Sequence, residues 1–273
     1  STMPSSLDRL MTDELIEKTV KTAVAREARF FSYEELDDVI HNEEQVKAII
    51  ELRSESISQV DADGFVSIQK AAMRGESSGS RSSFTFIPLM VREGCRLNVG
   101  GEENRGGLLS VVPYDENRIN TIAFLSGITY TGMKGPASDE FDRKRAQVLE
   151  KLRHLNLLKK ADIEEHGLVH NALHPKSQRR FDFFTSWDPA ALGSRDSRRV
   201  KPIHYAIGSK GKEERFEMAL KAGMEYFPEQ LGFLFSKENG VTACKQAFDE
   251  IGVDTALKII RTCIPPSDNH PIL

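Results

Sequence analysis

Asp63-Gly64-Phe65-Val66-Ser67-Ile68-Gln69-Lys70-Ala71-Ala72-Met73-Arg74-Gly75 and Val200-Lys201-Pro202-Ile203-His204-Tyr205-Ala206 decide the reading of this chain, because they are two versions of one phrase. In each, a turn leads into a small, apolar, polar, any-residue, Ala segment. Leu168-Val169-His170-Asn171-Ala172-Leu173 is a further version, and His170 stands 34 residues before His204 (204 minus 170). Asn239-Gly240-Val241-Thr242-Ala243-Cys244-Lys245-Gln246-Ala247 is a weaker one, keeping the Gly, the Thr and the final Ala.

Two other stretches agree on how the units end: Leu89-Met90-Val91-Arg92-Glu93-Gly94-Cys95-Arg96-Leu97-Asn98 and Ala219-Leu220-Lys221-Ala222-Gly223-Met224-Glu225. The opening phrases resemble the ankyrin signature Thr-Pro-Leu-His-x-Ala, the endings resemble Leu-Leu-x-x-Gly-Ala-Asp-Val-Asn, and the spacing is near the roughly 33-residue ankyrin period. The resemblance implies pairs of short antiparallel helices with a projecting loop. A unit of that kind cannot bury its apolar face alone and stacks on its neighbours. Ala71, Ala72, Ala172, Ala206 and Ala247 would let first helices approach closely. Gly94 and Gly223 are read as left-handed helix ends, where a residue without Cβ is favoured. Pro202 suits a first helical turn, where its missing N–H costs nothing, and Thr242 and Ser67 are candidate caps.

Composition sets wide bounds. The chain has 273 residues, 29% of them charged, and a formal net charge of -4. That is long enough for a substantial core, and the mild acidity argues against global affinity for nucleic acid. Cys95, Cys244 and Cys263 are widely spaced, which implies neither a disulfide framework nor a Cys-x-x-Cys metal site. The expected compartment is therefore reducing, cytoplasm or nucleus. No run of about 18 apolar residues is present, so no membrane-spanning helix is expected. No basic start followed by an apolar stretch marks a secretion signal.

The expected fold class is all-α, an ankyrin-like helical-repeat solenoid with an N-terminal helical cap and an inserted charged helix near the middle. Residues 1–29 form the cap, through apolar positions of Ser6 to Arg29 at helical spacing. Residues 30–128 hold degenerate repeats. Within them Ser32 caps a helix over Tyr33 to His41, Glu43 to Arg53 is its partner, and Gly75 to Ser83 is a flexible insertion. A weak repeat over Asn104 to Ile128 has a first helix carrying Leu108, Leu109, Val111 and Val112, and a second from Ile119 to Leu125. Residues 129–160 are a linker and the charged helix Asp139 to Lys159. Residues 161–264 hold clearer repeats: Ile163 to His174 with Ser177 to Leu192, Lys201 to Ser209 with Glu213 to Gly223, and Thr242 to Ile251 with Thr255 to Thr262. Residues 265–273 are a tail beginning at Pro265 and Pro266. The phrase Tyr226-Phe227-Pro228-Glu229-Gln230-Leu231 departs from the pattern and leaves the register there open.

No residues are expected to be catalytic or to bind a cofactor. His166, His170 and His174, four apart, could line one helix face as zinc ligands. Gly167 and Pro175 shorten that helix, no Cys or Asp is read as suitably spaced, and His170 occupies the signature position, so the three are read as structural and no metal is expected. Gly75-Glu76-Ser77-Ser78-Gly79 has the letters of a nucleophile elbow but follows a helical stretch rather than a strand. Gly208-Ser209-Lys210-Gly211-Lys212 lacks the Ser or Thr a phosphate loop needs after its Lys. Trp187, Phe181, Phe183 and Phe184 are assigned to the core.

Positive charge in the second half stands above this background: Lys176, Arg179 and Arg180, then Arg195, Arg198, Arg199 and Lys201. Guanidinium forks pair with carboxylate and phosphate in bidentate geometry. The expected function is thus non-enzymatic: a protein-protein interaction module, scaffold or adaptor, holding another protein with an acidic or phosphorylated segment. An enzyme with a site hidden in degenerate repeats is the rival reading, and local nucleic-acid or phosphate binding through the arginines is another.

Overall fold

The alternation of short apolar stripes with Gly, Pro and Asn breaks predicts many short helices, and the computed structural model has them. It describes residues 36, 38, 41–52, 54–73, 83–111, 119–127, 139–208 and 211–264. The expected cap over residues 1–29, most of the helix after Ser32, the insertion after Gly75 with its Gly-x-Ser-x-Gly letters, most of the linker after residue 128, and the tail lie outside those residues. The described chain is all-α apart from one small hairpin, and none of its helices is long and apolar enough to cross a membrane. It divides into two units, Ser1–Thr121 and Ile122–Leu273.

In the first unit, α1 (Glu43–Leu52) opens on a reciprocal capping box: Asn42 N–H donates to Gln45 Oε1 at 3.0 Å and Gln45 N–H donates to Asn42 Oδ1 at 2.9 Å. It buries Val46, Ile49 and Ile50, one stripe at helical spacing. The short α2 (Ser54–Ser58) follows, then α3 (Ser67–Met73), which buries Ile68, Gln69, Ala71 and Ala72. After a 3-10 turn over Ser83–Phe86 comes α4 (Ile87–Arg96), with Pro88 in its first turn, where no backbone donor is missed. A second 3-10 stretch, Glu102–Gly107, precedes α5 (Thr121–Ser126), which crosses the boundary. Val112 lies outside the described residues, and over Leu108 to Val111 the expected first helix does not form. Arg105, Gly106 and Gly107 take positive φ just ahead of it, and Val111 instead bridges antiparallel to Asn120.

The second unit starts with the charged helix α6 (Asp139–His154), whose buried residues include Val148, Leu149 and Leu152. The helix expected over Ile163 to His174 is two: α7 (Lys160–Glu165) and α8 (Leu168–Ala172), separated because Gly167 turns left-handed at φ 58°. Next come α9 (Gln178–Trp187), α10 (Pro202–Ile207) and α11 (Lys212–Tyr226). The hairpin β1 (Lys237–Glu238) with β2 (Val241–Thr242) then leads into α12 (Ala243–Ile251) and α13 (Val253–Cys263). Thr242 caps α12, its hydroxyl accepting Lys245 N–H at 3.2 Å, as its position suggests. Phe181 and Phe184 are fully buried, whereas Phe183 and Trp187 are half-buried and flank Arg153, whose guanidinium lies 5.3 Å from each ring centre.

Two devices recur. Pro189–Leu192 and Pro228–Phe233 are both 3-10 turns that open on Pro and run to a Leu-Gly pair, Leu192-Gly193 and Leu231-Gly232. The Tyr226 to Leu231 phrase opens as the Trp187 to Leu192 turn does and then departs from it, since Leu231 and Gly232 take positive φ of 48° and 59° while Gly193 stays at −93°. Gly94 and Gly223, expected as left-handed helix ends, lie inside α4 and α11 without positive φ. They are small because backbone presses on them: a Cβ on Gly94 would collide with the Gly106 carbonyl, and one on Gly223 would sit 2.7 Å from the Gly232 carbonyl oxygen. Gly106 and Gly232, at φ 64° and 59°, carry the left-handed turns themselves.

Candidate interaction surface

A loop can project without fraying only if its backbone donors are satisfied, and here one aspartate does most of that. Asp196 Oδ1 accepts Arg198 N–H at 3.0 Å and Val200 N–H at 2.9 Å, while Asp196 N–H donates to Val200 O at 3.0 Å. Arg199 closes the turn at φ 62°. Burial alone would raise the Asp196 carboxyl. The Val200 N–H, the Arg198 side chain and the nearby His170 and Arg198 charges outweigh it and hold it below the usual carboxylate range.

The underside of the loop is pinned from the preceding helix. His170 Nε2–H donates to Val200 O at 2.9 Å, reaching across 30 residues. His204 repeats the arrangement: its Nε2–H donates to Ser236 O at 3.1 Å, and its Nδ1 pairs with the Gln246 side-chain amide at 2.7 Å. Both rings are buried, His170 at 6% and His204 at 3% exposure. Burial holds His170 below its ordinary pKa, against the Val200 carbonyl and the Asp196 charge. In the first unit Gln69 takes this role, its amide donating to Ser110 O at 2.7 Å. These ties account for His170 and His204 as structural residues.

The seven expected contact residues divide. Arg195, Arg198 and Arg199 are exposed on the loop between Pro189–Leu192 and α10, and Lys201 is half-buried at its end. Arg195 Nε lies 3.1 Å from Glu238 Oε1, and Arg198 lies 2.9 Å from Asp196 Oδ2 with its guanidinium 5.2 Å from the Tyr205 ring centre. The Lys201 ammonium is 5.7 Å from the Phe233 ring centre. Exposed pairs of this kind are worth about 0–1 kcal/mol, so an incoming anion can displace them at little cost. Lys176 and Arg179 are exposed at the start of α9, but no contact among the described residues joins them to the loop.

Arg180 departs from the expectation. Its side chain is 5% exposed, its Nε lies 2.7 Å from Asp142 Oδ1, and its Nη1 donates to the carbonyls of Leu125 and Ser126 at 3.2 and 3.1 Å. Arg145 adds a bond from Nη1 to Phe124 O at 2.6 Å. Two arginines thus take the last carbonyls of α5, where cations suit a helix end. Arg180 is structural and unavailable to a partner.

Among the described residues, one group could hold a metal ion: Asp162, Glu165 and His166. The His166, His170, His174 ladder does not exist, because the break at Gly167 sends His170 to Val200. Sequence reasoning missed Asp196, Gln69 and Gln246, whose types at those positions could have been noticed as turn-forming and amide substitutes. No family model, curated protein or solved structure matches the chain.

Proposed function

We propose that this chain is an ankyrin-like helical-repeat module that binds another protein rather than a catalyst, and that its partner presents an acidic or phosphorylated segment to the Arg195 to Lys201 loop. The observation that carries this reading is one tie made three times: a side chain from a first helix donates to a carbonyl of the loop that follows, Gln69 to Ser110, His170 to Val200 and His204 to Ser236. Recurrence at 30 and 32 residues for the two histidines supports stacked units, each fixing the next. Three aligned turn positions, Gly64, Arg199 and Gly240, share positive φ of 82°, 62° and 81°, which supports loops of one repeated kind.

Chemistry at the loop supports the kind of partner. Arg195, Arg198, Arg199 and Lys201 outnumber the acids they meet, Asp196 and Glu238, and Asp196 is committed to the backbone. Guanidinium forks pair with carboxylate and phosphate oxygens, and the exposed pairs to Glu238 and Asp196 give way to an incoming anion at little cost.

The test is selection of peptides from a displayed library on the purified chain, followed by anisotropy titration of the enriched sequences and their phosphorylated forms. Acidic or phosphorylated peptides should bind, and an Arg195→Glu, Arg198→Glu, Arg199→Glu variant that melts like the parent should lose at least about tenfold in affinity, the 1.4 kcal/mol of one charge-assisted contact. Enrichment of nothing, or equal binding by the variant, would overturn the reading.

A further inference from the structure

We infer that Asp162, Glu165 and His166 form a binding site for one zinc ion at the end of α7. The inference is independent of the partner-binding loop. One ligand atom from each of the three lies within 4.8 Å of the others. Asp162 stands three residues before Glu165 and four before His166, which sets each of them beside it on the helix surface.

Two of the three are already held in place. Asp162 is 1% exposed and its Oδ2 accepts the Lys159 N–H at 2.7 Å, which fixes the carboxylate. The His166 backbone is tied at both ends, its N–H to Asp162 O at 3.0 Å and its C=O to the Asn171 amide at 3.2 Å. Within that frame the His166 Nε2 atom is buried without a hydrogen-bond partner. A buried polar atom left so costs about 1–3 kcal/mol, and a cation held between this ring and the two carboxylates would supply the missing partner.

Neighbouring charges are engaged elsewhere. The Lys160 ammonium is 3.3 Å from Asp188, and Glu164 accepts the Ser194 hydroxyl at 3.0 Å. Glu165 is exposed, which gives an ion a way in and a ligand free to turn. Donors about 2.0–2.2 Å from one zinc lie roughly 3.3–3.6 Å apart, so the three side chains draw together when the ion binds. One imidazole with two carboxylates suits zinc better than calcium or magnesium, which favour oxygen-only shells. Three protein ligands leave a fourth position for water.

Zinc titration of the full chain against a chromophoric chelator tests this. One equivalent should bind, and both Glu165→Gln and His166→Gln should weaken it at least about tenfold, the smallest effect expected of a removed ligand. Glu165→Gln alters an exposed residue and keeps the metal-free melting temperature, so it decides the matter even if His166→Gln unfolds. Cobalt in place of zinc should give a spectrum of nitrogen and oxygen donors without a thiolate charge-transfer band. Absence of binding, equal affinity in Glu165→Gln, or a thiolate band from the cysteines would each overturn the site.

Discussion

The loop at Asp61 to Phe65 and the loop at Asp196 to Val200 are the same turn with different outer surfaces. Asp61 Oδ1 accepts the N–H groups of Asp63 and Phe65, both at 2.9 Å, and Asp61 N–H donates to Phe65 O at 3.0 Å, bond for bond what Asp196 does. Gly64 and Arg199 occupy the same left-handed position. In the first loop the cation is turned inward: Lys70 lies 2.5 Å from Asp61 Oδ2 and 3.7 Å from Asp63 Oδ2, and close over Phe65. In the second, three arginines face solvent. The pair teaches that the backbone device fixes the turn and leaves outward residues free to vary, which is where a binding loop would differ from a structural one.

The largest test of this equivalence lies at the glycines that seat the two units' turns. Gly94→Ala and Gly223→Ala each drive a Cβ into backbone that has no flexible end to move, and overpacking of that kind costs on the order of 3 kcal/mol. Chemical denaturation should show both variants destabilised, Gly94→Ala more, because its added carbon lies closer to the opposing carbonyl. A tolerated Gly223→Ala would break the comparison.

Next in size are the ties beneath the loops. Gln69→Ala and His204→Ala should each cost about 1–3 kcal/mol, by stranding buried partners. His204→Gln should recover much of its loss if the amide of Gln69 and the imidazole of His204 are interchangeable donors. If His204→Gln unfolds as easily as His204→Ala, the two ties are alike only in appearance.

Those ties also mark how far the fold was legible. Pro202, Thr242 and the alanines carry their roles in their own covalent structure, so the first helices at Ser67, Pro202 and Ala243 could be placed from sequence. Gly94 and Gly223 could not be interpreted correctly, since a glycine needed for close approach and one needed for positive φ are the same letter. The basic cluster misled at Arg180, because only three-dimensional proximity to Asp142 and to the last carbonyls of α5 sets it apart from Arg179. Asp196 was overlooked because an Asx turn looks like any polar loop residue. Asp162 and Glu165 do not stand out beside His166, because the histidines at 166, 170 and 174 share a four-residue spacing that Gly167 interrupts only in three dimensions.

A smaller difference should appear in pH. Gln69 has nothing to titrate, whereas burial holds His170 below the ordinary histidine pKa of about 6.5, as it also does His174, with Arg215, Arg180 and Lys176 adding to the effect there. The unfolded chain therefore takes up protons before the folded one, so stability should fall as pH drops below about 6.5 and level off once the folded-state values are passed. His170→Gln should flatten that slope in urea titrations. A slope unchanged in the variant would mean His170 is not the group held neutral.

The finest test exchanges the left-handed residue itself. At φ 62° the Arg199 side chain carries a steric cost that glycine avoids, about 1–2 kcal/mol for an L residue, against roughly 0.5–1 kcal/mol of chain freedom that glycine loses on folding. Arg199→Gly should thus be neutral or stabilising by less than about 1 kcal/mol, while Gly64→Ala at φ 82° should be destabilising by a similar amount. Opposite signs at aligned positions would mean the second loop keeps an arginine in spite of its backbone. Stability does not account for such a residue, so its retention would have to lie in what the guanidinium meets outside the chain. Equal signs would remove that argument and return Arg199 to the ordinary solvated surface.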